Sequence, residues 1–211
     1  MGFDQEQQGD CSQPGSNLRE VQEFQKRFAE YMKCVTASQG SSGHASITVV
    51  RTYPDLHFIV QDLPEVIETS KAGVLDLEEN VKSRIAFEGY SFFDPQPVIN
   101  ADIYVLHMML HDWPHDEVKA ILQSIRLAMK PSARLVIMDT ILPEPGTSSL
   151  SQEAQLRVRD LTMRETFNAH GRELELEEWT TLLAEVDESW RLRRVVQPFG
   201  STLSVMEVTF V

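Results

Sequence analysis

The chain has 211 residues, of which 42% are hydrophobic and 24% charged, a composition that excludes a wholly disordered, collagen-like or disulfide-scaffold protein. Nineteen Lys+Arg against 32 Asp+Glu leave a formal charge of −13, which argues against nucleic acid and anionic membrane surfaces as partners. Cys11 and Cys34 form no CxxC pair, and no apolar run approaches the ~18 residues of a membrane span.

The first residues, MGFDQEQQGD, lack the basic and apolar regions of a secretory signal, so a cytoplasmic protein is expected. Residues 1–17 are Gln-, Gly- and Ser-rich and read as a disordered tail. From Leu18, the residues Val21, Phe24, Phe28, Met32 and Val35 recur on one helical face, which predicts a helix ending near Ser38. A small-residue loop, Gln39-Gly40-Ser41-Ser42-Gly43, follows, and then a short helix over His44–Thr52. HFIVQD (57–62) reads as a buried strand, and Pro64 starts a helix from its favoured first position. RIAFEG (84–89), DIYVLH (102–107) and RLVIMD (134–139) read as three more strands. Between the last two, Pro114 opens a helix whose apolar stripe is Val118, Ile121, Leu122, Ile125 and Met129. Helices over about 151–167 and 175–186 come next, and RRVVQ and LSVMEVTFV form an antiparallel hairpin. Strand–helix alternation with nearly continuous apolar strands predicts an α/β fold with a parallel sheet covered on both faces. Ligands of such sheets bind at the carboxyl ends of the strands.

Three of those strand ends carry polar residues suited to chemistry. Asp62 ends HFIVQD, where an acid accepts hydrogen bonds from the ribose hydroxyls of an adenosine cofactor. It lies about 20 residues after the Gly40–Gly43 loop, but it also precedes Leu63-Pro64, as a helix N-cap would. The Gly-Ser-Ser-Gly loop by itself reads equally as a linker. His111 follows the strand 102–107 and stands where a general base would face the cleft. His107, His111 and His115 are spaced by four, yet a strand end and Pro114 interrupt them and HExxH is absent, so no metal site is expected. Asp139, at the end of RLVIMD, faces the same cleft, and Glu173 either supports the imidazole or is a surface charge.

With LHDWP, QDLPEVIE before it, and DTILPEPG and DLTMRETFNAHGRE after it, the stretch from about Leu18 to Val211 resembles one family. These are the S-adenosylmethionine-dependent O-methyltransferases of the plant caffeate type and their fungal secondary-metabolism relatives. The resemblance implies a Rossmann-like class I methyltransferase sheet, mostly parallel, with a C-terminal antiparallel hairpin. It implies S-adenosyl-L-methionine as cofactor, a phenolic or polyketide-type small molecule as acceptor, and no metal. In the implied mechanism His111 deprotonates an acceptor hydroxyl, whose oxygen attacks the sulfonium methyl in line. Asp139 and Glu173 match the two supporting acids, and Asn168 matches a residue of the acceptor pocket. Gly40, Gly43, Asp62, Ser91, Phe92 and His107 match cofactor-side positions.

The chain departs from the family pattern in four places. The glycine-rich motif keeps its tail, GSSGHAS, but lacks the apolar first strand before it, so the sheet is expected to miss that strand unless a segment around Val35 fills in. Ser91 stands where the family usually has an acid near the adenine, and His107 where it has Lys or Arg. Apart from a helix remnant over 18–38, the winged-helix dimerisation region has no counterpart before the cofactor domain at 39–211, so the implied homodimer is expected to be weakened. A second reading therefore stands beside methyl transfer: a non-catalytic methyltransferase-like remnant that has lost cofactor binding. A nicotinamide-dependent oxidoreductase would need a complete glycine-rich turn after a strand, which this sequence lacks.

Overall fold

The computed structural model describes residues 33–38, 44–73, 77–166, 171–198 and 201–211. Among the described residues the strands are β1 (Lys33–Ser38), β2 (His57–Asp62), β3 (Ile85–Gly89), β4 (Ile103–His107), β5 (Arg134–Asp139), β6 (Ile141–Leu142), β7 (Leu174–Glu175), β8 (Trp190–Val196) and β9 (Ser204–Phe210). The helices are α1 (His44–Thr52), α2 (Pro64–Gly73), α3 (Glu79–Lys82), α4 (His115–Ala128), α5 (Leu150–Thr166) and α6 (Leu176–Val186). Seven strands form one sheet in the order β3-β2-β1-β4-β5-β9-β8. The first five are mutually parallel, and β9 runs antiparallel to both β5 and β8. β6 and β7 form a separate two-stranded parallel ribbon. No helix among the described residues is long and apolar enough to cross a membrane.

The core lies on both faces of the sheet, and the two-residue period of the strands divides it. Ile103 and Val105 of β4 pack with Val136 of β5 against Ile47 and Val50 of α1. Tyr104 and Leu106 of β4 point the other way, with Leu135 and Ile137 of β5, onto Ile121 and Leu122 of α4 and Trp179 and Leu182 of α6. Coverage on both sides explains why these strands read as unbroken apolar runs. Each aliphatic side chain buried this fully contributes about 1.5–3 kcal/mol.

One expectation from the sequence is corrected. Lys33–Ser38 is a strand, not the end of a helix, and the sheet does not lack its central position. Cys34 to Ala37 pair in parallel with Phe58 to Gln61 on one side, and Cys34 to Ser38 with Ile103 to His107 on the other. The physical reason is backbone accounting: without this strand β2 and β4 would each present a row of unpaired N–H and C=O groups inside the sheet. Val35 and Thr36, both β-branched, suit the role better than a helix end. The rest of the expected helix from Leu18 and the tail at 1–17 lie outside the described residues.

A central strand bonded on both sides exchanges its amide protons only through large opening events. The amides of residues 34–37 are therefore expected to be among the slowest to exchange in native-state hydrogen–deuterium measurements. Exchange as fast as that of surface loops would contradict the placement of β1.

Candidate active site

The site forms where β4 and β5 end side by side. Their register pairs Leu106 with Ile137 and His107 with Met138, and Met108 N–H then donates to the Met138 carbonyl at 2.9 Å. Met108 adopts φ of +50°, uncommon for a residue with a Cβ, and this bends the chain out of β4. A single 3₁₀ turn, Leu110–Asp112, follows and buries His111. Pro114 then caps α4, whose first turn carries Asp116 and Glu117.

This bend sets His111 against the end of β5. His111 Nδ1 lies 2.5 Å from Asp139 Oδ1, an oxygen that also accepts the Thr140 N–H at 2.9 Å. Nδ1 is then the protonated nitrogen of the neutral ring and donates to the carboxylate, leaving Nε2 with its lone pair. Glu173 Oε2 is 3.8 Å from Nδ1, and Asp112 Oδ1 is 3.4 Å from Nε2. Asp139 and Glu173 are each 1% exposed, so Glu173 is not a surface charge. Second oxygens of all three acids, Asp112 Oδ2, Asp139 Oδ2 and Glu173 Oε2, are buried without a hydrogen-bond partner among the described residues.

Gly171 lets the loop carrying Glu173 close down. A Cβ at that position would lie 2.5 Å from the His111 carbonyl oxygen, so only glycine fits this approach. The loop is held at its far end by a capping box at the start of α6, in which Glu175 N–H donates to Glu178 Oε2 at 2.9 Å. Arg159 of α5 donates from Nε to Glu173 Oε1 at 2.8 Å.

Electrostatics follow from burial and crowding. Burial pulls the His111 imidazole toward the neutral form, but the hydrogen bond to Asp139 and the charges of Asp139, Glu173 and Asp112 outweigh it and raise its pKa above the ordinary value. Burial pushes the Glu173 carboxyl upward, against the opposing pull of His111 and Arg159. Burial likewise raises Asp112. His107, half-buried at the end of β4, is shifted down by burial, with Asp139 opposing. His111, Asp139 and Glu173 each have a ligand atom within 4.8 Å of the others, and in the structure the Nδ1 of this group is spent on its hydrogen bond to Asp139 Oδ1.

The cofactor-side residues line the same edge of the sheet. Asp62 stands at the end of β2 and its Oδ1 accepts the N–H of the next residue, Leu63, at 2.8 Å. The Leu63 carbonyl accepts the Val66 and Ile67 N–H groups, so Leu63 and not Asp62 holds the N-cap position of α2. Ser91 and Phe92 occupy the turn after β3, where Asp94 N–H donates to the Ser91 carbonyl. The Phe92 ring meets Trp113 edge-on at 5.5 Å, joining that turn to the 3₁₀ turn of His111. Beside it a shallow groove is lined by Tyr90, Phe92, Gln96, Tyr104, Leu106 and Ile125. An acid at the end of β2, an aromatic ring after β3 and an imidazole at the end of β4 are groups whose chemistry suits the hydroxyls and base of a nucleoside. Gly40, Gly43 and Asn168 lie outside the described residues. The sequence reading missed Asp112 as a third acid, although it adjoins His111. It also missed Arg159, which no local pattern connects to Glu173, and Gly171, whose only signal was a glycine beside a candidate acid.

Comparison with known proteins places the chain in a family. The family model for the O-methyltransferase domain matches residues 20–187, and the chain belongs to that family. O-methyltransferase VdtC of Byssochlamys spectabilis is 45% identical over 213 residues, which cover 88% of this chain and 49% of the relative. O-methyltransferase aoiF of Aspergillus oryzae is 42% identical over 197 residues, covering 92% of this chain and 46% of the relative. The chain thus spans about half the length of these curated relatives. Among solved structures, mitomycin 7-O-methyltransferase MmcR superposes with a TM-score of 0.74 at 24% identity, over 93% of this chain and 54% of that one, and shares the fold. OxaC, solved in complex with SAH and oxaline, gives 0.71 at 25% identity over 89% of this chain and 46% of that one. The family depends on S-adenosylmethionine, and the sheet is that of its class I members.

The contact between Gly171 and His111 makes a specific demand. Gly171→Ala forces the loop away from the His111 carbonyl and is expected to cost about 1–3 kcal/mol of stability in urea denaturation. An unchanged midpoint would contradict the close approach.

Proposed function

We propose that this chain is the catalytic part of an S-adenosylmethionine-dependent O-methyltransferase that acts on a hydroxyl of a phenolic or polyketide-type small molecule. The observation that carries this reading is the buried imidazole of His111, oriented by Asp139 and flanked by Glu173 and Asp112 at the ligand edge of the sheet. Relatives named as fungal O-methyltransferases, and an OxaC structure that holds oxaline, support a small-molecule acceptor.

Asp62, Ser91, Phe92 and His107 are the described residues that would hold the cofactor. When bound, S-adenosylmethionine supplies an electrophilic methyl group on a positively charged sulfur. His111 acts as general base: Nε2 takes the proton of the acceptor hydroxyl and leaves its oxygen nucleophilic. The imidazolium so formed sits among Asp112, Asp139 and Glu173, whose charges stabilise it in a poorly hydrated site. Asp139 also fixes the ring's tautomer and plane, so Nε2 rather than Nδ1 receives the proton. Burial favours the uncharged form of His107, which would leave the edge that holds a cationic cofactor without a second positive charge there. The alternative, a remnant without cofactor binding, is weakened by β1, which restores the central strand whose loss motivated it.

The test is transfer of a labelled methyl group to a panel of phenolic acceptors. His111→Ala is expected to lower turnover by roughly 10²–10⁴; unchanged turnover in that variant would contradict the assignment. Because its acids raise the pKa of His111, the base is in its active, neutral form only at higher pH. The kcat/KM of the wild type is therefore expected to rise with pH, with an inflection above the ordinary imidazole value of 6.5, and Asp139→Asn should move that inflection downward. An inflection below 6.5 in the wild type would contradict the electrostatic account.

A further inference from the structure

Two consecutive residues of α5 reach the acid beside His111, and the proposed reaction does not by itself use them. Arg159 Nε donates to Glu173 Oε1 at 2.8 Å. Asp160 Oδ1 accepts the Glu173 backbone N–H at 3.0 Å, while its other oxygen pairs with Arg164 Nε at 3.2 Å. Side chain and main chain of Glu173 are thus gripped from one turn of one helix. The Glu173 side chain is fully buried, whereas that of Arg159 keeps about a quarter of its surface open to solvent.

We propose that Arg159 and Asp160 form a two-point clamp that positions the Glu173 carboxylate against His111, making Arg159 a positioning residue of the site. The inference rests on the methyl-transfer reading above for its catalytic meaning. Its physical basis is a charge count. Asp112, Asp139 and Glu173 crowd one imidazole, and among the described residues Arg159 is a guanidinium bonded to one of these acids, Glu173. A buried carboxyl with like charges beside it takes up a proton unless a cation is bonded to it. Arg159 supplies that bond through a planar guanidinium held by the helix, and Asp160 stops the loop from carrying Glu173 away. The acid then stays ionised where the imidazolium will form.

The sign of one measurement separates this role from a merely electrostatic or structural one. Arg159→Met and Arg159→Gln keep good helix formers in α5. The titration of His111 is read by NMR in the full chain. If Arg159 acts as a remote positive charge, its removal raises the His111 midpoint. If it keeps Glu173 ionised and in place, removal lets Glu173 protonate, and the His111 midpoint falls. A fall in both variants, restored by Arg159→Lys and absent when Arg159→Met is made on a Glu173→Gln background, is the expected result. With acceptor present, kcat is expected to drop roughly 10- to 10²-fold with KM little changed. A rise, no shift, or the same shift on the Glu173→Gln background would overturn the clamp. The titration needs no turnover, so a wild-type chain that transfers no methyl group would contradict the transferase reading while leaving this result to stand or fall separately.

Discussion

The constraint on which the site depends is that β4 and β5 are hydrogen-bonded neighbours ending at the same level. Their register leaves one bend, at Met108, to bring the next turn back over the end of β5. The Nδ1–Oδ1 contact between His111 and Asp139 follows from that geometry. It joins two residues 28 positions apart. A base held this way needs little reorganisation to receive a proton, because the groups that stabilise its charged form are already fixed.

The other half of the site depends on the middle of the sheet. A ligand edge at the strand ends exists only if the strands are continuous across it. β1 makes them so by pairing with β2 and β4 along their lengths. That pairing places Ser38 opposite His107 and Ala37 opposite Gln61, next to Asp62. The edge expected to hold the cofactor is therefore contiguous from β3 to β5. The aromatic contact between Phe92 and Trp113 then couples the cofactor-side turn to the turn that carries His111.

How much of this was legible in the sequence differs by element. HFIVQD, IYVLH and RLVIMD are short apolar runs that stop at a polar residue, and the structure ends β2, β4 and β5 at those residues, Asp62, His107 and Asp139. The C-terminal hairpin was equally plain from its two β-rich runs and the intervening turn. β1 was misread because Val35 continues a 3.6-residue period from Val21, and a six-residue strand is too short to break such a pattern by itself. Only the missing partner between β2 and β4 argues otherwise, and that is a tertiary fact. Asp62 left two readings open; the structure puts Leu63 at the N-cap of α2 and leaves Asp62 at the strand end, bonded to the Leu63 N–H. Arg159 and Gly171 could not be reached from local pattern, since each matters through a contact made by a distant segment.

A methyltransferase fold without its usual glycine-rich strand is only a transferase if its rebuilt edge still takes the cofactor. Calorimetric titration of the folded chain with S-adenosylhomocysteine tests this without knowledge of the acceptor. The account predicts a dissociation constant in the micromolar range, weakened roughly ten- to a hundredfold by Asp62→Ala. No heat of binding from a chain shown to be folded would contradict it.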